Sequence, residues 1–343
     1  MAWKLETALP KLKATQLKRL ASLCGEKVSG NKIHVVERLL ALDHAQSAKR
    51  RGPKDSRLIL SIDLGIRNLG FSLMSPAAPS KAISPASLTA DDLRRPPRVH
   101  LHAWQKKELL EPSEDGTEDP ERFSPASLAI ATDRLLRQDL LPLKPTHVLI
   151  ERQRWRTGGA AAVQQWTVRV NTLEAMLHAS LRTLRELGRW DGEVVSVAPN
   201  RVTKFWPPPP TISGDILQTL KGKGAKAQQN SKKYKIAVLE SWLAAKRGSE
   251  IILPENRDAA DTVKWFRSKS APGRKKSGDV EDLLHVVGRQ KLDDLTDSLL
   301  QGVAWLKWQE NTDTLLKEEG LTRLVEGKLF DELVEASTLL DDV

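Results

Sequence analysis

The sequence predicts an α/β layered fold, a mixed sheet flanked by helices, and three observations point to it. Short apolar or alternating runs recur at "LILSIDLGI", "NLGFSLM", "RVHLHAWQKKEL", "PTHVLIE" and "GEVVSVA". Longer stretches with an apolar residue every three or four positions lie between and after the later runs, the strongest over residues 160–187. Strands first, then strands alternating with helices, is the order of a layered α/β domain. The chain has 343 residues and 40% of them are hydrophobic, enough for one large domain with a small companion.

Residues 1–44 are expected to form a small helical module. In "LPKLKATQLKRLASLCG", Leu9, Leu12, Leu17, Leu20 and Leu23 share a helical face. After a turn at Gly30, Ile33, Val36, Leu39 and Leu40 make a second stripe. Residues 45–57 read as a basic linker with a Gly-Pro break. The body, 58–311, opens with two strands joined by a tight Gly turn. Residues 75–97 are rich in Pro, Ser and Ala and read as a mobile insertion. A third strand follows, then a helix over 124–141 with Ser124 as N-cap and Pro125 in its first turn. A strand ending at Glu151 leads to the helix over 160–187, whose stripe is Val163, Trp166, Val170, Leu173, Leu177, Leu181 and Leu184. A further strand comes next, and "PPPP" at 207–210 stops any regular element. Helices are expected at 231–247 and 292–310. Residues 312–343 read as an acidic helical tail.

Charge and cysteine narrow the function classes. The net charge is +10, and it is uneven. Residues 1–56 hold twelve Lys/Arg against five Asp/Glu, and residues 312–343 hold three against nine, so the basic charge sits in the module and the body. That balance suits a polyanion partner. The lone cysteine, Cys24, excludes an internal disulfide and a cysteine-based zinc cluster, and fits a reducing compartment. No run approaches 18 apolar residues, so no membrane span is expected. The basic start, which contains Glu6, reads as the beginning of a folded module rather than as a targeting segment.

Several acids stand at the ends or edges of apolar elements: Asp63 in "LILSIDLG", Glu151 in "THVLIE", and Asp294 with Asp297 in "KLDDLTDSLLQ". Residues three apart on a helix face the same way, so Asp294 and Asp297 project together, with Asp293 near that face. Buried like charges repel one another, and bound divalent cations offset the cost. Two such ions can stabilise the attacking and leaving oxygens of a phosphodiester displacement. The alternatives are local. Asp63 caps its turn, Glu151 pairs with Arg152 or Arg154, and the three aspartates form a solvated helix N-terminus.

The order of these motifs resembles the ribonuclease H-like nuclease superfamily, and within it the RuvC-type Holliday-junction resolvases. The stretches "SIDLGIRNLGFSL", "IERQRWRTGG" and "KLDDLTDSLLQ" carry the likeness. The fungal mitochondrial cruciform-cutting resolvases are closer still, because they place a SAP-like helical DNA-binding module before this domain. Here Leu17, Leu20, Gly30, Lys32 and "VERLL" match that module's pattern. The resemblance implies a homodimer, assembled partly through the helix over 160–187. It would cut four-way DNA junctions with paired Mg²⁺- or Mn²⁺-dependent nicks, with two ions per site and 5′-phosphate and 3′-hydroxyl ends. Asp63, Glu151, Asp294 and Asp297 would be the metal-binding acids, with Asp293 able to replace Asp294. The mitochondrial matrix is the location implied. The runner-up readings are a nuclease of the same fold acting on an RNA–DNA hybrid or a transposon end, and a non-catalytic junction-binding scaffold.

Candidate DNA contacts follow from the same frame. Gln153, Arg154 and Arg156 adjoin Glu151, and Lys32 lies in the module. Two cation-rich stretches, 220–235 and 264–278, read as mobile loops that order on phosphates. They supply Lys226, Lys232, Lys233, Arg274, Lys275 and Lys276.

Overall fold

The computed structural model describes residues 4–49, 57–78, 88–110, 120–153, 165–220, 225–245, 249–270 and 292–317, with 320, 322 and 329 beyond them. Its centre is a six-stranded sheet built from β1 (Ile59–Asp63), β2 (Leu69–Pro76), β3 (Val99–Lys107), β4 (His147–Glu151), β5 (Glu193–Val197) and β6 (Ile252–Pro254). The order across the sheet is β5-β4-β1-β2-β3-β6. β1, β2 and β3 form an antiparallel meander, while β4 lies parallel to β1, β5 to β4 and β6 to β3. Before β1 come α1 (Leu5–Ala8), α2 (Ala14–Leu23) and α3 (Lys32–Lys49). α4 (Ala90–Arg94) precedes β3, α5 (Pro125–Arg134) precedes β4, and α6 (Gln165–Glu186) precedes β5. α7 (Pro199–Phe205), α8 (Gly214–Leu220) and α9 (Ala225–Leu243) precede β6, and α10 (Arg257–Ser270) and α11 (Leu292–Leu315) follow it.

The alternation of side chains along each strand sorts the core into two layers. Leu60, Ile62, Phe71, Leu73, Val148 and Ile150 point to the face covered by α5 and α6. There they meet Leu128, Val170, Leu173, Leu177 and Leu181. Ile59, Met74, Leu101, Trp104 and Leu149 point to the other face, where α11 lies with the N-terminal helices and α7 to α10. α11 is buried on all sides rather than along one stripe, and hydrogen bonds tie it to the sheet. Gln301 Nε2 donates to Ser61 Oγ at 3.1 Å and to the Ile62 carbonyl at 3.2 Å. Ser72 Oγ donates to the Ser298 carbonyl, and Trp104 Nε1 to the Leu295 carbonyl. A buried amide or hydroxyl left without such partners would cost about 1–3 kcal/mol.

The strands β1 to β5 in chain order and the helix between β4 and β5 follow the sequence reading, and several boundaries do not. Ser124 caps α5 by accepting from the Ser127 N–H, with Pro125 in the first turn. The α-helix ends at Arg134, and the chain continues as a π turn (Leu135–Leu140) and a 3₁₀ turn (Leu141–Leu143). The first leucine stripe is split: α1 and a 3₁₀ turn (Leu9–Lys11) precede α2, although all five leucines are buried. Ile33 is exposed, and Val35 takes the buried place beside Leu39. α3 runs to Lys49, through the first part of the expected linker; 50–56 lie outside the described residues.

The described parts of the stretches read as cation-rich loops are helical. Residues 225–235 belong to α9 and 264–270 to α10, because Tyr234, Val238, Leu239 and Phe266 anchor those helices in the core. α11 passes the expected start of the acidic tail, since Thr312, Leu315 and Leu316 are buried. Residues 79–87 of the expected mobile insertion lie outside the described residues, whereas 90–94 form α4 with a Thr89–Asp92 capping box.

Candidate active site

Alternation also decides where the acids point. Asp63 is two residues beyond Ser61 and Glu151 two beyond Leu149, so both project from the ends of β1 and β4 onto the α11 face. Gly70 lies opposite Asp63 on β2. A Cβ at Gly70 would stand 2.3 Å from the Asp294 carbonyl oxygen, so the missing side chain lets the first turn of α11 reach the sheet. Gly302 does the same about two turns on, against Met74 and Ser61. The result is a carboxylate cluster in which oxygens of Asp63, Glu151 and Asp297 all lie within 4.8 Å of one another.

The cluster is electrostatically strained. Burial, then the carboxylates of Glu151, Asp297 and Asp294, push the Asp63 carboxyl well above the usual range, and Lys235 offsets them only in part. Burial also raises Asp297, against the pull of Lys235. Lys235 comes from α9 and pairs with Asp297. Burial works against its ammonium, but Asp297, Glu151 and Asp63 outweigh it and raise its pKa. One ammonium, that of Lys235, against the three carboxylates Asp63, Glu151 and Asp297 leaves this group short of positive charge.

That arrangement fits a hard divalent cation. Carboxylate oxygens are its preferred donors, and opposite ligands of a Mg²⁺ ion at about 2.1 Å lie roughly 4.2 Å apart. Three oxygens within 4.8 Å need little movement to meet one ion.

The other expected residues are placed as follows. Asp294 lies one turn before Asp297, close enough to raise the Asp63 pKa, and its Oδ2 is 3.4 Å from Lys106 Nζ of β3. Asp293 pairs with Lys232. The Gln153 N–H donates to Glu174 Oε2 on α6. Lys32, Lys226 and Lys233 are exposed. Arg154, Arg156, Arg274, Lys275 and Lys276 lie outside the described residues. Sequence reasoning missed Lys106 as a partner of the acids and counted Lys235 with the loop cations. The signal for Lys235 was its place one residue after Tyr234, at the start of the apolar part of α9.

A meander with parallel strands beside it, and carboxylates converging from β1, β4 and α11, is the arrangement expected of the ribonuclease H-like class. The chain belongs to the family described as "Mitochondrial resolvase Ydc2 / RNA splicing MRS1", whose catalytic-domain model matches residues 59–315. It is similar to the mitochondrial cruciform cutting endonuclease 1 of Schizosaccharomyces pombe, with 24% identity over 303 residues, 87% of this chain and 93% of the relative. The protein of the same name from Saccharomyces cerevisiae is 26% identical over 349 residues, 93% of this chain and 89% of the relative. Among solved structures, the yeast mitochondrial Holliday junction resolvase Ydc2 superposes with a TM-score of 0.53 at 23% identity, covering 89% of this chain and 96% of that one. This last likeness supports the fold.

Proposed function

We propose that the chain is a structure-selective endonuclease that resolves four-way DNA junctions by paired nicks during recombination of mitochondrial DNA. The observation that supports it most is the Asp63–Glu151–Asp297 cluster, which a protein that only bound DNA would have no reason to keep at such electrostatic cost. Asp63, Glu151 and Asp297 would hold Mg²⁺ or Mn²⁺, and Asp294 would serve a second ion. Bound there, the ions supply Lewis-acid polarisation of the phosphate and a water nucleophile available at neutral pH. The chain's own groups fix the acids: Gln301 ties the ends of β1 and β4 to α11, and Lys235 orients Asp297. The expected products carry 5′-phosphate and 3′-hydroxyl ends.

The DNA surface proposed draws on Gln153, Arg154 and Arg156, which follow Glu151 in the chain, on Lys226, Lys233, Arg274, Lys275 and Lys276, and on Lys32 of the N-terminal unit. That unit keeps its SAP-like reading as part of the proposal. Lys232 shares its charge with Asp293 and would contribute less. Contacts of this kind make binding fall steeply with salt. A homodimer suits the two-fold character of a four-way junction. Trp166 and Val168, near the start of α6, are exposed apolar side chains that it could cover. The names of the relatives favour a mitochondrial location.

The test is a cleavage assay with purified protein and labelled four-way junction, linear duplex and RNA–DNA hybrid, each with Mg²⁺ or EDTA. Symmetric nicks in the junction alone, lost in EDTA and in Asp63→Asn, are expected. Cutting of the hybrid but not the junction would transfer the chain to another substrate. Tight junction binding without cutting would make it a scaffold.

A further inference from the structure

Lys106 and Asp294 form a pair that a metal centre alone does not explain. Asp63, Gly70 and Lys106 stand at one level on three adjacent strands, with Gly70 opposite each of the other two. Opposed residues in a ladder project to the same face. Asp63 and Lys106 therefore flank the gap at Gly70, and α11 enters that gap with the backbone of Asp294. The Asp294 side chain is set between an acid on one strand and a cation on another. Its Oδ2 is 3.4 Å from Lys106 Nζ, and the two side chains are 18% and 7% exposed. The neighbouring Lys107 points to the opposite face, where it pairs with Asp139. Only one of two consecutive lysines is thus delivered to the cluster.

We propose that Lys106 is a positioning residue: a fixed internal counter-ion that holds the Asp294 carboxylate and competes with a divalent cation for it. The inference rests on the metal-centre reading above. A buried ammonium beside an acid cluster lowers the negative potential that an incoming cation meets, and burial spares that effect from salt screening. Lys106 thereby sets how readily Asp294 joins an ion, while Asp63, Glu151 and Asp297 remain within reach of one another without it. Removing its charge releases Asp294 to the cation.

The test is Mn²⁺ binding to the full chain, read by electron paramagnetic resonance of the free ion, for the unaltered protein, Lys106→Met and Lys106→Arg. Each is repeated in an Asp294→Asn background. Lys106→Met is expected to bind the ion roughly ten-fold more tightly, the size of effect a unit charge has at such range. Lys106→Arg should stay close to the unaltered affinity, and Asp294→Asn should cancel the effect of Lys106→Met. Equal affinities of the unaltered protein and Lys106→Met, or the same tightening without Asp294, would overturn this inference alone. No Mn²⁺ uptake by the unaltered protein would overturn the metal centre and this inference with it. Should Lys106→Met fail to fold, the double variant lacking both charges must recover a cooperative melt, and failure to do so overturns the pairing.

Discussion

The carboxyl of Asp63 has a raised pKa in the folded chain, and that fixes the sign of a pH effect. An unfolded aspartate titrates at about 3.9. Between that value and the raised folded value the native state binds the extra proton, so stability falls as pH rises through this window. Asp297 adds to the effect in the same direction. A divalent cation favours the ionised forms and offsets the loss. The melting temperature should therefore rise more on adding Mg²⁺ at pH 8 than at pH 5.5, as read by differential scanning fluorimetry. Equal increments at both values would remove these carboxylates from the metal site. Lys235→Met leaves Asp297 without its partner and should lower the cleavage rate by about 10–100-fold, as losses of groups that orient metal ligands do. Single-turnover kinetics at saturating Mg²⁺ would measure it. The acids were legible in the sequence because each interrupts or ends an apolar run. Their lysine partners were not, since a cation 62 positions before Asp297 looks like any other surface charge.

At the level of elements, the approach of α11 to the sheet carries the site. Gly70→Ala would force a methyl into the Asp294 backbone, which cannot swing aside as a side chain can. A cost of about 1–3 kcal/mol is expected, with loss of cleavage because Asp294 and Asp297 move together. Gly302→Ala meets the flexible end of Met74 and should cost less. Comparison of their urea midpoints and junction-cleavage rates would show whether the contact at Gly70 matters more. β1 to β5 were readable from alternation and apolar runs, whereas β6 was not, because Ile252–Pro254 is too short to show a period. α10 and the first turns of α9 were hidden by their lysines, although a helix was expected from 231 onward. Their core contacts come from a few residues such as Val238, Trp242 and Phe266, and the rest of each helix carries the composition of a loop. The π turn at Leu135–Leu140 left no trace in the sequence, since it shares the apolar spacing of the helix before it.

For the whole molecule, the N-terminal helices are a docked part of the same core rather than a tethered accessory. Leu17, Leu20, Leu23 and Cys24 pack in one cluster with Trp308 and Leu315. Asn311 Nδ2 donates to the Leu23 and Leu93 carbonyls, and Arg201 of α7 bonds the Gly25 carbonyl. Gly25 has φ +72° and a Trp308 ring where a side chain would be, so that turn accepts no other residue without rearrangement. The sequence suggested a separate unit because its leucine pattern is self-contained; nothing local announces that a tryptophan 283 positions later closes it. A chain starting at residue 50 should lose its cooperative melt, since each buried leucine it forfeits is worth about 1.5–3 kcal/mol. An unchanged melt would show that the docking adds nothing. The Cys24 thiol, pushed up to about 12 by burial, should react with a thiol reagent only as fast as the full chain unfolds. The contacts at Asn311 have a mechanical consequence. One helix bears the acids at its first turns and grips the N-terminal unit at its last. The fourteen steps from Asp297 to Asn311 span about 21 Å at 1.5 Å each. α11 is thus the beam of a caliper whose jaws keep a constant opening, and neither end can shift along the sheet without dragging the other.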